Sequence, residues 1–360
     1  NGNNADVYQL HDDQYSLIDQ SGNDNNADVY QHSWANISHI DQSGNGNNAD
    51  VSTADWSWMN HSEIDQSGNN NNADVFQGWD YHDSWIDQSG NNNNADVQQV
   101  SWGNDNQSHI NQYGDDNNAD VYQDGWSYNY SEIHQGAGDY NNADVYQMGD
   151  AHSSYINQGI GSNSDDNNAD VYQYDYWQTS VIWQEGDDNN ADVYQYIEGN
   201  FSHVDQLGDD NNADVEQWGL YNTSYLYQGT WFNGNDGNDN NADVYQDGYW
   251  NWSDIYQTGD DNNVDVFQLM EGNYSYVDQY GNDNNADVYQ EGFYNISGLF
   301  QGGNGNNADV IQYGYDNFSV VDQYGNNNNA DVTQVGVGNV SYETQGGNNG
   351  SINVSQTFWP

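Results

Sequence analysis

Apolar and polar positions alternate with a period of two in short runs along this chain, and the same two runs return at a fixed interval. In the first run, N-x-A-D-V-x-Q, Ala27, Val29 and Gln31 fall on one side of an extended backbone while Asn26, Asp28 and Tyr30 fall on the other. That is the strand period, not the helical one. The second run reads S-x-I-x-Q and follows the Ala by eleven residues in the 22-residue copies, as in Ser38, Ile40 and Gln42. Gly, Asn, Asp and Ser stand between the runs, residues that tolerate positive φ and close tight turns. Each repeat therefore predicts strand, turn, strand, turn.

The Ala of the first run falls at Ala5, Ala27, Ala49, Ala73, Ala95, Ala119, Ala143, Ala169, Ala191, Ala213, Ala242, Ala286, Ala308 and Ala330, with Val264 and Ile352 in two further copies. Ten of the fifteen intervals are 22 residues, and the others are longer by 2, 2, 2, 4 and 7. A fixed period of this size marks a solenoid of stacked units. The expected fold is all-β: a β-solenoid of about 15.5 rungs with parallel, in-register, cross-β sheets. One continuous repeat domain over 1–360 is expected, with longer turns near 52–61, 100–107, 124–140, 159–168 and 229–241. A one-residue slip would turn every side chain to the other face, so length is added only in turns. The longest, Gly229 to Asn241 with Trp231 and Phe232, is expected as a protruding loop.

Only 34% of the residues are hydrophobic, and the inward positions include two Gln, one Asn and one Ser per rung. A buried amide is costly unless its hydrogen bonds are made, but identical amides stacked at about 4.8 Å donate and accept along the stack. Gln9, Gln31, Gln42, Gln66, Gln88, Gln123 and Gln147, with Asn25 and Asn47, are the expected ladders; Val29 and Val75 form a dry seam, and Ser38 and Ser84 are small inward positions. The Val position is unbroken from Val7 to Val354. Period-locked Val and Ile, with insertions confined to turns, argue against a disordered Asn/Gln-rich tract.

The combined repeat S-x-I-x-Q-x-G-x-x-N-x-A-x-V-x-Q, as in Ser38 to Gln42, Gly44, Asn47, Ala49 and Val51, resembles the curlin repeat of the major curli fibre subunit from Asn3 to Gln356. The resemblance implies a secreted bacterial β-solenoid that assembles into extracellular, cell-surface amyloid fibres for biofilm matrix and surface adhesion. It also implies a secretion pore and a minor subunit that nucleates growth. The chain departs from the pattern at Thr53, which replaces a ladder Gln, at Glu343, where Ile or Val is expected, and at Gly350, which replaces a ladder Asn. The family's unstructured N-terminal secretion segment is not found in it.

With 57 acidic residues and no Lys or Arg, the chain repels nucleic acid and anionic membranes. No apolar run approaches the length of a membrane span, so membrane insertion is not expected. Without Cys, disulfides and thiolate metal sites are unavailable, and the single proline is Pro360, outside every strand phrase. Asp6, Asp28, Asp50, Asp74, Asp96 and their successors through Asp331 form an outward column. Carboxylates one rung apart repel by roughly 1 kcal/mol even in water. Salt, protonation or cations must offset this, so lower pH or added salt is expected to speed assembly.

Turns such as Gly114-Asp115-Asp116-Asn117 and Gly208-Asp209-Asp210-Asn211 offer hard oxygen ligands, making a calcium-dependent extracellular β-roll the competing reading. Asp115, Asp116, Asp209 and Asp210 are its candidate cation ligands. Against it, the calcium-roll pattern G-G-x-G-x-D survives only as Gly302-Gly303-Asn304-Gly305, and Asn91-Asn92 and Asn326-Asn327 carry no acid. No cofactor is expected, with calcium the one alternative. Ice binding would need outward columns of small Thr, and the outward columns are Asp and Tyr. An enzyme is not expected: the regular Ser faces inward, and His residues such as His39, His109 and His203 show no metal-ligand spacing. Sequons such as Asn36-Ile37-Ser38 and Asn251-Trp252-Ser253 arise because a turn Asn precedes the ladder Ser by two residues. Tyr8, Tyr30, Phe76, Tyr122, Tyr146, Tyr172, Tyr194 and Tyr245 form an outward ring column suited to axial stacking, adhesion or lateral contact.

Asn3, Ala5, Val7 and Gln9, with Ile352, Val354 and Gln356, are the expected polymer interface. Fifteen repeats are followed by one lone strand phrase, Ser351 to Gln356, so head-to-tail addition is expected with the incoming subunit turned by about half a revolution. The two phrases are similar enough to allow this, as Ala143-x-Val145-x-Gln147-x-Gly149 and Ser84-x-Ile86-x-Gln88-x-Gly90 show.

Overall fold

The structure is a computed structural model that describes residues 2–100, 105–159, 164–229 and 237–358. It comprises two compact units, Asn1–Gly186 and Asp187–Pro360. Each is a β-solenoid in which first-phrase strands pair only with first-phrase strands of the next rung, and second-phrase strands likewise. In the first unit Asn4–Leu10 lies parallel to Asn26–His32 with Ala5 against Ala27, Val7 against Val29 and Gln9 against Gln31. Tyr15–Asn23 lies parallel to Ile37–Asn45, Ser16 against Ser38 and Ile18 against Ile40. The second unit repeats the plan, with Val193 against Val215 and Val204 against Leu226. Eight rungs make up the first unit; seven, followed by the strand Ser351–Phe358, make up the second.

Register survives insertion because added length goes to the turns. Ala213 pairs with Ala242 across 29 residues of chain, and Ala143 with Ala169 across 26. Trp231, Phe232, most of the 229–241 loop and much of the 100–107 and 159–168 turns lie outside the described residues. The range 124–140 corrects the sequence reading. It is not one long turn, because it contains the strand Tyr130–Gln135, whose Ser131 and Ile133 pair with Ser108 and Ile110. The two extra residues of that repeat are split between its two turns, one on each side of the strand.

The core of a rung is one residue thick. Ala27 and Val29 from one strand and Ile40 from the other are at most 2% exposed, with buried Gln31, Ser38 and Gln42 beside them. Asp24, Asn92, Asp116, Asp210 and Asn327 take left-handed φ values of 55 to 59° in the tight turns, as short polar side chains can. At Gly314, φ is +114°, and an added Cβ would sit 2.0 Å from the carbonyl oxygen of Gly336 one rung away. Only glycine lets those two backbones stack at strand spacing.

Candidate assembly surfaces

The inward Gln residues form ladders along each sheet. Gln9 Nε2 donates to Gln31 Oε1 at 2.7 Å, Gln42 to Gln66 and Gln66 to Gln88 at 2.8 Å, and Gln123 to Gln147 at 2.9 Å. The second amide hydrogen crosses the rung: Gln42 donates to the Asn26 carbonyl, Gln66 to Asn48 and Gln88 to Asn72, all at 2.9 Å. Both hydrogens and the oxygen of an interior Gln are thus used, which is what makes its burial affordable. Asn25 and Asn47 act differently. Their Oδ1 accepts the backbone N–H of the same position one rung on, Asn47 and Asn71 respectively, at 3.0 Å, while Nδ2 reaches turn carbonyls. Val29 and Val75 are 2% exposed beside them. Ser38 and Ser84 are fully buried, and their hydroxyl oxygens have no hydrogen-bond partner.

Two further amide columns escaped the sequence reading. Asn36, assigned to a turn, is fully buried, and its Oδ1 accepts the Asn60 N–H at 3.0 Å. Asn200, Asn222, Asn251 and Asn273 continue this ladder in the second unit. The signal was present, since Asn36 stands two residues before Ser38 as Asn25 stands two before Ala27. The asparagines of these sequons therefore face the core. Outside, Asn4, Asn26, Asn48, Asn72 and Asn94 form an amide ladder with Nδ2 to Oδ1 distances of 2.8 to 3.0 Å.

His152 occupies an Asn position in the inward ladder. Its Nδ1 accepts the Gln178 N–H at 3.4 Å and, in the matching tautomer, Nε2–H donates to the Met148 carbonyl at 3.4 Å. Burial pushes its pKa down to about 4, so the ring is neutral when it fills this amide role. Thr53 shows what a missing ladder Gln does. Its hydroxyl accepts the His32 N–H at 3.0 Å, Gln31 Nε2 turns to the Tyr15 carbonyl at 3.3 Å, and Gln77 Oε1 is left without a partner. Glu343, opposite Val321, is half-buried, and Gly350 keeps the backbone bond of its ladder, its N–H donating to Asn328 Oδ1 at 2.9 Å.

Outside, the Asp column runs from exposed, as at Asp50, Asp120, Asp243 and Asp265, to half-buried, as at Asp144, Asp214 and Asp309. Desolvation first and like-charged neighbours second raise the carboxyls of Asp50 and Asp265, and push Asp214 up to about 6. Burial, Asp287 and Asp331 take Asp309 to about 6. In the ring column, centroids lie 5.2 Å apart for Tyr8–Tyr30, 4.7 Å for Tyr122–Tyr146 and 4.6 Å for Tyr245–Phe267, with planes within 10°. The turn acids have backbone roles. Asp115 Oδ1 accepts the Asn91 N–H at 2.7 Å and Asp209 Oδ1 the Asp187 N–H at 3.0 Å, while Asp116 and Asp210 hold left-handed φ. Among the described residues, no group of three or more His, Asp or Glu side chains is placed to hold a metal ion.

At the end strands, core positions meet solvent. Asn3, Ala5, Val7 and Gln9 are exposed, Val7 by 48% against 2% for Val29. Ile352, Val354 and Gln356 are half-buried, and Gln356 Oε1 accepts from Gln334 at 2.8 Å. Compared with known families, the chain matches the model described as Curlin associated repeat seven times, over residues 164–196, 186–219, 237–269, 259–292, 281–314, 303–336 and 325–357. No curated protein matches the chain significantly.

Proposed function

The chain is a curlin-repeat protein, and from that premise we propose that it is the structural, non-enzymatic subunit of an extracellular curli-like amyloid fibre that grows by end-to-end stacking. One observation carries the reading: the Gln ladders are completed through the rungs above and below, as Gln42 is between Gln20 and Gln66. An end rung is incomplete by the same logic, and Val7 exposes what Val29 buries. A second copy turned by about half a revolution supplies the missing strand, its Asn3 to Gln9 phrase completing the sheet opposite Ser351 to Gln356. Secretion through a pore, nucleation by a minor subunit, and roles in biofilm matrix and adhesion belong to this proposal, as does the working of 1–360 as one repeat domain.

Growth of the purified chain into filaments, followed by thioflavin fluorescence and electron microscopy, tests it. Filaments with strands across their axis are expected, growing faster at lower pH and higher salt. A chain that stays as separate solenoids under all these conditions would overturn the proposal. Loss of β-structure on adding EGTA at constant ionic strength would favour the calcium roll instead.

A further inference from the structure

On the outer face of the first-phrase strands, the Asp and ring columns run two residues apart, and in each unit a groove opens between them. In the first unit it is a cavity of about 250 Å³, with Tyr122, Tyr146 and Tyr172 on one wall and Asp96, Asp120 and Asp144 on the other. In the second it is about 230 Å³, with Tyr245 and Phe267 facing Asp214, Asp243 and Asp265. Both lie where the ring column is interrupted, by Gln98 opposite Tyr122 and by Glu216 opposite Tyr245. The same arrangement at the same repeat position in both units ties the groove to a gap in the ring column beside three stacked Asp.

The face has no cation of its own. The chain carries no Lys or Arg, and one carboxylate oxygen each of Asp144 and Asp214 is shielded from solvent without a hydrogen-bond partner. The walls also share a ruler: Asp120 pairs with Asp144 and Asp243 with Asp265 in strict register, and the rings beside them step by 4.7 and 4.6 Å.

We propose that this groove binds linear oligoamines with three-carbon spacers, one ammonium to each carboxylate. With bonds of ~1.5 Å, an extended N–C–C–C–N unit sets its nitrogens ~5 Å apart, the step from rung to rung. A triamine of this kind spans three successive Asp, the number each cavity presents. Its methylenes lie against the ring wall while its charges meet the acids, as a lysine stem and head divide between apolar and polar surroundings. A four-carbon spacer sets nitrogens ~6 Å apart and overshoots three rungs by ~3 Å. A divalent metal ion brings charge but no apolar body for the rings. Occupation removes repulsion within the Asp column, so binding is linked to solenoid stability.

Calorimetric titration of the whole chain at neutral pH and fixed ionic strength, with bis(3-aminopropyl)amine, bis(4-aminobutyl)amine and Mg²⁺, tests the assignment. The three-carbon triamine is expected to bind about fivefold or more tightly than the four-carbon one, and Mg²⁺ at equal ionic strength is expected to leave that preference intact. The double variant Asp120→Asn with Asp243→Asn is expected to weaken binding about tenfold. It should fold, because Asn353 already occupies the same column beside Asp331. Asp139→Asn with Asp260→Asn, in the turns, is expected to leave binding unchanged; that column already alternates Asp with Asn, as at Asn91 and Asn238. Equal affinity for the two triamines, displacement by Mg²⁺, or an equal loss in the turn variant would reduce the effect to charge screening and overturn the proposal.

Discussion

The two solenoid units share their ladders and differ in their exceptions. Asn1–Gly186 holds eight of the nine His residues, four of the five lengthened repeats, the Thr53 gap and two buried His in the inward Asn ladder, His82 and His152. Asp187–Pro360 holds one His and keeps the 22-residue step in all but one of its intervals. Yet Ala, Val and Gln occupy the same inward places in both with few exceptions, and the Ile of the first unit gives way to Val, Leu or Ile in the second at the same burial, except at the half-buried Glu343. The ladders specify the fold, while turns and isolated ladder positions are free to vary where a substitute can make the same hydrogen bonds. The curlin matches lie within 164–357.

The sharpest way to break this comparison is to remove a ladder Gln from each unit. Gln290 accepts from Gln268 and donates to Gln312 at 2.8 Å and to the Tyr274 carbonyl at 3.0 Å. Gln290→Leu strands all three partners and is expected to cost about 4 kcal/mol in urea unfolding. Gln77 accepts no bond but still donates to Gln99 and to the His61 carbonyl, so Gln77→Leu is expected to cost about 1 kcal/mol less. Equal losses would show that ladder continuity is not what the Gln residues contribute.

Acid should also separate the units. The raised pKa values of Asp214 and Asp309, about 6, mean that the folded state holds protons the unfolded chain has released; their penalty is fully present above pH 6 and is relieved as pH falls toward the ordinary carboxyl range. His152, at about 4, works in the opposite sense. Its contribution is complete above the unfolded value of 6.5 and is lost as pH falls toward 4. Hydrogen exchange between pH 7 and 4.5 should therefore slow in the strands bearing Asp214 and Asp309 relative to the strand pair flanking His152. A local deficit of about 2 kcal/mol, removed in His152→Asn, is expected. An unchanged profile in His152→Asn would show that the histidine is not the cause.

Much of this was legible in the sequence, for a physical reason. A period of two within strands and a period of 22 between them leave one register in which Val7 to Val354 can all face inward. The inward Asn36 column was misplaced because Asn serves both as a turn residue and as a ladder amide. Only its spacing to Ser38, equal to that of Asn25 from Ala27, distinguishes the two. The split insertion around Tyr130–Gln135 does not show in the interval between Ala marks but does show in Ser131, which stands 12 residues from Ala119 and 12 from Ala143 against the usual 11. The grooves beside Asp120 and Asp243 depend on where a ring is absent from its column, and their depth is set by side-chain packing that no spacing reveals.

Smaller effects sharpen the picture. Thr53→Gln gives Gln77 Oε1 a donor and is expected to stabilise the first unit by about 1 kcal/mol, narrowing its difference from the second. Ser84→Ala and Ser275→Ala remove buried hydroxyls that have no hydrogen-bond partner, and thermal melts should shift by no more than about 0.5 kcal/mol in either unit. A large loss at either would mean that the Ser column carries hydrogen bonds the Gln ladders were credited with.

The most direct test of end-to-end stacking is a cryo-EM map of filaments grown from the whole chain. Strands perpendicular to the filament axis are expected, with successive subunits turned by about half a revolution and the Gln columns crossing each joint at the usual spacing of about 4.8 Å. Subunits joined side by side through the ring columns, or a joint wider than one strand step, would contradict it.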